Sequence, residues 1–356
     1  MFAGDRPTLY TQSSGHLAYS GPLSGKHNIN ILCALRGSAV AFNSKFLWRF
    51  AEHLPDSKLI SLSESIQRFL PDDSSVAMGL SLESLIPFAA AHEIIRQRKR
   101  NLCLIGPISD ILFDQVIGAG CVRQIKAAWV GNVITGSGYN FRRGIETGTL
   151  KIEDHSNLTL AMALRAGAMG VSFMPTRTAL GSDLFKTNPG LKTMTCPFSA
   201  DRLTAVAAIN PDVAIVHVQR ADEYGNANTW GNLGVTRDAC LASRHVIITA
   251  EEIVPPDHIS ADPNRVITPG FRVSAVVHFP WGAHPSPVPG YYNRDHQAFI
   301  DYRNESKTAM LFAKWQNHRV DSIRSPRAYQ DLLGHERMAG LAIKNHVFSE
   351  PVDYGY

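Results

Sequence analysis

The sequence predicts an α/β protein with a mainly parallel β-sheet that is covered on both faces by helices. The first observation is a series of short, almost continuously apolar segments, such as 101–106 and 212–219. The second is that segments with the spacing of amphipathic helices, such as 88–100 and 158–169, alternate with them. Strands that are apolar on both sides must be buried on both faces, which is typical of a parallel sheet between two helical layers.

Six strands and four helices follow from this alternation. The strands are predicted at 74–79, 101–106, 124–131, 212–219, 245–251 and 274–280. The helices are predicted at 88–100, 158–169, 236–243 and 327–333. Basic residues end the first helix, where positive charge suits the helix dipole. Ser156 or Asn157 can cap the second helix.

We divide the chain into three parts. Residues 1–55 are rich in serine, glycine and histidine and show no sustained periodicity, so we predict a loosely ordered N-terminal extension. Only Ala41–Leu54 has the spacing of a helix there, and an organelle transit peptide or a different start site would also explain the segment. Residues 56–335 form one regular domain without a convincing linker. Residues 336–356 are predicted to be an irregular C-terminal tail.

Composition excludes several classes of protein. A formal net charge of +4 argues against a nucleic-acid surface as the main feature of the fold. No apolar run reaches the ~18 residues of a membrane span, and no compact basic segment precedes the apolar stretch at 29–42, so a signal peptide is not predicted. The five cysteines form no C-x-x-C pair, and no His, Cys and carboxylate cluster has metal-ligand spacing. We therefore predict neither disulfides nor a metal, in a reducing cytoplasm.

Four glycine-containing loops follow predicted strands and form the candidate ligand site. They span 79–81, 106–110, 131–138 and 281–285. Ligands of open α/β sheets bind beyond the carboxyl ends of the strands, and such loops can present backbone N–H groups to a carboxylate or thioester oxygen. An ordinary turn is the alternative explanation for each single loop. The candidate substrate-binding residues are Gly79, Leu80, Ser81, Ser109, Asn132, Thr135, Ser137 and His284.

A polar segment, 153–156 (EDHS), precedes the second helix. It can serve helix capping and dipole compensation. It can also form a polar cluster at the site, where Glu153 could act as an acid or base if burial raised the pKa of its carboxyl. His217 and His278 lie within apolar strands and are predicted to be hydrogen-bonded core residues. One member of the pair 251–252 (EE) is predicted to lie at the surface, because a buried pair is costly.

Two common catalytic and nucleotide-binding signatures are absent from the sequence. The loop 136–138 (GSG) lacks the third glycine of the dinucleotide fingerprint and the G-K-[ST] ending of a P-loop. No G-x-S-x-G elbow occurs, so serine hydrolase chemistry is not predicted.

Many of these segments together resemble the α subunits of class I CoA-transferases of the glutaconate type. The resemblance runs in order from about Lys58 to about Gly334 and does not cover 1–55. It is carried by 86–90 (IPFAA), 92–97 (HEIIRQ), 113–118 (FDQVIG), 141–143 (FRR), 152–156 (IEDHS), 173–175 (FMP), 181–182 (GS), 210–217 (NPDVAIVH), 230–231 (WG), 251–253 (EEI), 269–270 (PG) and 282–286 (GAHPS).

The resemblance implies a three-layer α/β/α fold and a division of labour between two chains. The family's nucleophilic glutamate lies in a Ser-Glu-Asn-Gly-type motif of a separate β subunit, and this sequence contains no such motif. The expected partner is therefore a β subunit, in an αβ or α2β2 complex. The expected substrates are a coenzyme A thioester and a carboxylic acid, with no permanently bound cofactor. The α subunit would line the acyl pocket and orient its carboxylate.

Two departures from the family pattern keep other functions open. The family usually has Gly-Gly-Phe where this chain has Gly79-Leu80-Ser81. Arg177 stands where related hydrolases that open a cyclic β-keto acyl-CoA ring also carry arginine, so Glu153 and Arg177 are the candidate catalytic residues of this chain. The alternatives to CoA transfer are thus a ring-opening acyl-CoA hydrolase and a non-catalytic binding protein on the same scaffold. Dicarboxylic, β-keto and aromatic acyl groups all fit the sequence.

Overall fold

The computed structural model describes residues 31–35, 38–42 and 56–344. The chain separates into two compact units, Met1–Asp56 and Ser57–Tyr356. In the first unit, strands β1 (Ile31–Leu35) and β2 (Ser38–Phe42) pair antiparallel. The helix predicted for Ala41–Leu54 begins inside β2, and its remainder lies outside the described residues, as does most of the predicted extension.

The second unit is built around a nine-stranded sheet in which seven strands run parallel. From one edge to the other these are β16 (Ala275–His278), β14 (His245–Ile253), β12 (Val213–Ala221), β3 (Ser75–Ala77), β4 (Leu102–Ile105), β5 (Val122–Ala127) and β8 (Lys151–Asp154). Two short antiparallel strands, β13 (Ala227–Asn228) and β15 (Val266–Thr268), extend the sheet beside the end of β12. The predicted, largely parallel sheet is confirmed.

Five further strands lie outside this sheet. Strands β6 (Gly131–Asn132) and β7 (Gly136–Ser137) form a tight hairpin. Strands β9 (Phe173–Thr176), β10 (Leu191–Thr195) and β11 (Arg202–Ala207) form a small antiparallel sheet that the sequence patterns did not predict. Most of the side chains in these three strands are only partly buried, so they lack the apolar signal of the central strands.

Helices cover both faces of the central sheet. They are α1 (Leu62–Phe69), α2 (Phe88–Arg96), α3 (Leu112–Gly118), α4 (Tyr139–Glu146), α5 (Asn157–Met169), α6 (Leu184–Thr187), α7 (Thr236–Ala242), α8 (Pro256–Ser260), α9 (His296–Glu305), α10 (Ala309–Gln316), α11 (Pro326–Leu333) and α12 (His335–Leu341). One apolar core joins the sheet to α1, α2, α3, α9 and α10. A second core joins the opposite face to α5 and α7. This is the three-layer α/β/α arrangement expected from the family resemblance.

Local chemistry explains where several elements begin and end. Ser156, one of the two predicted caps, begins α5: its hydroxyl accepts from Thr159 N–H, and the Thr159 hydroxyl binds Ser156 N–H in return. Helix α2 ends at Arg96, earlier than predicted, because Arg98 and Asn101 take positive φ values of 52° and 57°. Helix α12 lies where we predicted an irregular tail, and 345–356 lie outside the described residues.

Most residues that the sequence predicts to lie in the core are buried in the structure. Cys103, which lies within the apolar segment 101–106, is 4% exposed in β4, and burial raises the pKa of its thiol. His278 is the exception, because it ends the edge strand β16 and is exposed. Over the part of the chain that the structure describes, no helix is long and apolar enough to span a membrane.

Candidate active site

The loop 79–81 opens onto a recess at the carboxyl end of strand β3, beside the middle of the neighbouring strand β12. We call this shallow, open pocket the strand-end recess. Its walls are the loop 79–81, Leu85, Pro87, the segment 215–217 and Thr236. It lies where ligands of parallel α/β sheets bind, and it contains three of the predicted substrate-binding residues.

Gly79 is required by the shape of this loop. Its φ is +67°, a left-handed conformation that favours glycine. A Cβ at this position would lie 2.8 Å from Cβ of Ser109, which follows the neighbouring strand β4. Two of the predicted loops therefore pack directly against each other. Leu80 is 3% exposed and packs into the core, so only its backbone can face a ligand.

The backbone of the loop offers hydrogen-bond donors. The N–H groups of Gly79, Leu80 and Ser81 donate to no acceptor among residues 56–344. A run of free N–H groups beside a recess is suited to an anionic oxygen. Ser109 is fully buried, and its hydroxyl oxygen has no hydrogen-bond partner in the same part of the chain.

The recess has no available nucleophile of its own. The hydroxyls of Ser81 and Thr236 are hydrogen-bonded to each other at 2.8 Å. His217 is 1% exposed, with Nδ1 2.9 Å from Thr249 Oγ1 and Nε2 2.7 Å from Glu251 Oε1. The prediction that His217 is a hydrogen-bonded core histidine is confirmed. The remaining recess residues are glycine, proline and aliphatic, so the recess can bind and orient a substrate but supplies no attacking group.

The predicted binding residues of 131–138 mainly shape their own loop. The Asn132 side-chain oxygen accepts from the N–H groups of Ile134 and Thr135, each at 2.9 Å, and from the Thr135 hydroxyl. Ser137 donates its hydroxyl to the Val130 carbonyl at 3.2 Å. Asn132, Thr135 and Ser137 therefore hold the hairpin in place, and their side-chain groups already have protein partners.

Asp110 and Arg294 form a buried ion pair that the sequence did not reveal. Arg294 Nη2 lies 2.7 Å from Asp110 Oδ2, and Asn132 donates to the other carboxylate oxygen at 2.8 Å. Burial raises the pKa of Asp110, although Arg294 opposes the shift. The two residues are 184 positions apart, so no local signal could have paired them. The pair fixes the loop 106–110, which supports Gly79.

Glu153 lies in a different polar cluster, at the end of β8. Lys126 Nζ binds its carboxylate at 2.8 Å, and His155 Nε2 lies 3.2 Å from it. Burial alone would raise the pKa of Glu153, but His155 and Lys126 together lower it below its usual value. The condition for an acid or base role of Glu153, a pKa raised by burial, is therefore not met in this chain. Sequence reasoning missed Lys126; the signal that could have found it is a charge between two buried apolar residues of β5, Ile125 and Ala127.

Arg177 does not join Glu153. Its side chain is 75% exposed and pairs with Asp201 at 2.5 Å, beside the small sheet β9–β11. The hydrogen bonds and ion pairs of Glu153 go to Lys126 and His155. The two candidate catalytic residues predicted from the sequence thus have separate partners in this chain.

His284 is a buried residue of the loop 281–285 and does not line the strand-end recess. Its Nδ1 lies 2.7 Å from the Tyr329 hydroxyl, and its Nε2 lies 2.8 Å from Asp295. Burial lowers the pKa of His284, although Asp295 opposes the shift. Arg337 binds both oxygens of Asp295. Both ring nitrogens of His284 therefore serve to fasten the C-terminal helices to this loop.

Glu251 connects the recess to the same loop. One of its oxygens binds His217, and it also accepts from the Tyr292 hydroxyl at 2.8 Å. The other oxygen accepts from Trp281 N–H at 2.8 Å. Glu252, by contrast, points outward and pairs with Arg220 at 3.0 Å. The prediction that one member of this acidic pair lies at the surface is confirmed.

Comparison with known proteins agrees with the fold. The family model described as "Coenzyme A transferase" matches residues 59–278. The chain is 41% identical over 277 residues to the A-type subunit of 3-oxoadipate CoA-transferase from Pseudomonas knackmussii, covering 77% of this chain and 97% of that relative. It is 30% identical over 304 residues to the A-type subunit of glutaconate CoA-transferase from Acidaminococcus fermentans, covering 81% of this chain and 95% of the relative.

A solved structure agrees with these sequence comparisons. The crystal structure of glutaconate coenzyme A-transferase from Acidaminococcus fermentans superposes with a TM-score of 0.78 at 29% identity, covering 82% of this chain and 98% of the other. The likeness in sequence and in structure thus extends over most of the second unit. The chain therefore belongs to the coenzyme A transferase family and is one subunit of a CoA-transferase.

Proposed function

We propose that this chain is the α subunit of a heteromeric CoA-transferase and that the partner subunit supplies a nucleophilic glutamate. The observation that carries the proposal is the strand-end recess, which offers three free N–H groups but no free nucleophile. A site of this composition can bind an acyl group but needs a second chain for chemistry. The similarity to the A-type subunits of two such enzymes supports the same division.

The proposed reaction proceeds by four substitutions at carbonyl carbons. The partner's glutamate attacks the acyl-CoA carbonyl, the C–S bond breaks, and the products are a mixed anhydride on the glutamate and free CoA thiolate. The thiolate then attacks the glutamyl carbonyl and releases the donor carboxylate, which leaves a glutamyl-CoA thioester. The acceptor carboxylate repeats these two steps in reverse and regenerates the free glutamate.

The role of this chain would be electrostatic and positional. Each substitution places negative charge on a carbonyl oxygen, and the N–H groups of 79–81 can hydrogen-bond that oxygen in the recess. Gly79 lets the loop pack directly against Ser109, and Ser109 and the Asp110–Arg294 pair hold the loop from behind. Leu80 keeps its side chain in the core, so the change from Gly-Gly-Phe leaves the donors in place.

We propose short dicarboxylic acids as the substrates. The two similar relatives described above are named for 3-oxoadipate and for glutaconate, both of which are dicarboxylates. The free N–H groups of the loop would suit the developing oxyanion at one end of such a molecule. Acyl-CoA esters and free acids of four to six carbons are therefore the first panel to assay.

A ring-opening hydrolase is the alternative, and the geometry favours it less. It needs Glu153 and Arg177 to act on one substrate, yet Arg177 is exposed and bound to Asp201. Glu153 is held as an anion by Lys126 and His155, which disfavours a role as a proton donor. The alternative therefore has no assembled pair of catalytic groups among residues 56–344 of this chain.

The test is to trap the covalent intermediate. The chain is co-expressed with its candidate β subunit, purified as a complex, incubated with an acyl-CoA and treated with borohydride. We expect a reduced glutamate on the β subunit by mass spectrometry, and CoA transfer only when an acceptor acid is present. Free acid that forms without an acceptor, with no modified glutamate, would contradict the proposal. The Glu153→Gln variant then serves as a control, because it should retain the adduct under CoA transfer and lose activity under hydrolysis.

A further inference from the structure

A second cavity lies away from the strand-end recess, between the sheet edge and the C-terminal segment. Its volume is about 310 Å³, within the range of pockets that bind small organic ligands. Its walls come from the start of α1, one face of α2, the end of β16, the segment 323–326 and Tyr329. We call it the C-terminal cavity. The loop 281–285 separates it from the strand-end recess, since Trp281 and His284 line this cavity and not the recess.

The charges that face the C-terminal cavity are mainly positive. Arg96 and Arg324 both line it, and Glu93 is the one acidic residue among the described residues of its walls. Glu93 is already neutralised, because Arg96 Nε binds it at 2.8 Å and Gln97 donates to its other oxygen at 2.7 Å. Arg324 has no hydrogen-bond or ion-pair partner within residues 56–344. One arginine charge is therefore left uncompensated at this cavity.

Two helix N-termini add to this positive potential. Helices α1 and α11, each of eight residues, begin at the cavity wall, which includes Ser61–Ser63 and Ser325. Their cap hydroxyls satisfy Glu64 N–H and Ala328 N–H, whereas Leu62 N–H and Ser63 N–H have no acceptor in this part of the chain. Free N–H groups at the positive end of a helix favour a bound anion.

His92 provides a polar side chain at the wall of the same cavity. The residue is 7% exposed and lines the cavity. Its Nε2 lies 3.0 Å from the Gln115 side-chain oxygen, and its Nδ1 has no partner among residues 56–344. Burial lowers the pKa of His92 to about 3, so the ring is neutral at pH 7 and adds no charge. Nδ1 is thus free to accept a hydrogen bond from water or from a ligand hydroxyl.

The remaining walls are apolar and aromatic. They include Leu59, Val277, Phe279, Trp281 and Ile323. A ligand complementary to these walls has a compact apolar body. To be complementary to the charges of the cavity as well, it has one anionic group. We propose that the C-terminal cavity binds a small carboxylic acid with an apolar or aromatic body, its carboxylate at Arg324 and the start of α1.

Such a site is distinct from the strand-end recess, but one hydrogen-bond network connects the two. Trp281 lines the cavity, and its N–H is held by Glu251, which also holds His217 of the recess. A bound acid would therefore contact the loop that carries this network. The site can be tested by binding alone, so its failure would leave the proposed CoA transfer untouched.

Calorimetric titration of phenylacetate into the full-length chain in its purified complex tests the proposal. Phenylacetamide has the same shape without the charge and serves as the matched ligand. We expect phenylacetate to bind, and phenylacetamide to bind about ten-fold more weakly because it lacks a charge-assisted hydrogen bond. Equal affinity for acid and amide, or no binding of the acid, would overturn the proposal.

Two variants place the binding in this cavity. Arg324→Gln should weaken phenylacetate binding by about ten-fold. Arg327→Gln is the matched control, since Arg327 lies on the same segment but pairs with Asp331 outside the cavity, and it should leave binding unchanged. Ala89→Leu, which fills the cavity from α2, should abolish binding. Because Arg324 is exposed, its replacement should fold normally, and equal binding by both arginine variants would refute the assignment.

Discussion

Lys126 and Glu153 lie directly opposite each other on the neighbouring parallel strands β5 and β8. Lys126 Nζ is 2.9 Å from one carboxylate oxygen and 2.8 Å from the other, so a single ammonium group bridges both. His155 approaches the same carboxylate at 3.2 Å. Glu153 is 8% exposed and is held as an anion by these two partners. Its ionisation should therefore contribute to the stability of this sheet edge.

Replacing Lys126 with methionine should destabilise the fold at pH 7. The change keeps the length of the side chain but leaves a largely buried carboxylate with only His155. We expect the free energy of unfolding, measured by urea denaturation, to fall by about 1–3 kcal/mol. Lys151→Met is the control, because Lys151 is exposed on β8, and it should change the value by less than about 0.5 kcal/mol. Equal losses in the two variants would show that the ion pair does not stabilise the fold.

The pH dependence of stability should reveal the ionised state of Glu153. Its pKa in the folded protein lies below the ordinary value of 4.5, since His155 and Lys126 outweigh burial. The carboxylate therefore stabilises the fold at pH values above 4.5, and this contribution is lost as the pH falls through the folded-state pKa. We expect Glu153→Gln to be less stable than wild type at pH 7 and this difference to shrink below about pH 4.5. Asp154→Asn, a change at the exposed neighbouring carboxylate, should show no such trend. If the stability difference between wild type and Glu153→Gln stayed constant down to about pH 3.5, this interpretation would be contradicted.

Gly79→Ala should destabilise the fold by more than the strain of a positive φ at this position alone. Gly79 and Gly120 have similar φ values of +67° and +74°, but a Cβ would meet Ser109 in the first case and open space in the second. Gly120→Ala should therefore lose about 1 kcal/mol through backbone strain, whereas Gly79→Ala should lose about 1–3 kcal/mol more through overpacking. Thermal unfolding of both variants measures the difference.

A double variant separates packing from other effects at Gly79. Ser109→Gly removes the Cβ that the new alanine would contact at 2.8 Å. Adding it to Gly79→Ala should recover part of the lost stability, although Ser109→Gly alone should not stabilise the protein. If the stability loss of the double variant equals the sum of the losses of the two single variants, these two loops do not pack directly against each other.

The contrast between these loops and the central strands shows what the sequence could predict. Strands such as β4 and β12 are apolar along their whole length, because both faces are buried, and this pattern is visible without a structure. The apolar pattern of β3 likewise placed the loop 79–81 correctly at the carboxyl end of that strand. The sheet β9–β11 was missed, since its partly exposed strands lack a continuous apolar pattern.

Side-chain partners were predictable only where they were local. Ser156 and Thr159 are three residues apart, and their mutual capping follows from a known sequence pattern. Asp110 and Arg294 are 184 residues apart, and only the folded chain brings them together. The same holds for His284, a predicted ligand-binding histidine whose contact with the Tyr329 hydroxyl fastens α11. Glycine-rich loops are visible in a sequence, but the groups that occupy their polar atoms are not.

The adjacent residues Glu251 and Glu252 offer a matched test of the network behind the recess. Glu251 accepts hydrogen bonds from His217, Tyr292 and the Trp281 N–H, all within the core. A glutamine could accept from two of these donors but would turn its own N–H2 group towards the third. We expect Glu251→Gln to lower the free energy of unfolding by about 2–3 kcal/mol. Glu252→Gln removes a half-exposed ion pair and should change it by less than about 1 kcal/mol.

The same pair of variants should also separate recess geometry from global stability. Glu251→Gln releases His217, which lines the strand-end recess, so the KM for acyl-CoA should rise at temperatures where the variant is still fully folded. Glu252→Gln should leave KM unchanged, since Arg220 and Glu252 do not line the recess. If both variants keep the wild-type KM, the Glu251–His217 contact stabilises the core without shaping the recess. If only Glu251→Gln raises it, this buried carboxylate positions the recess wall through His217.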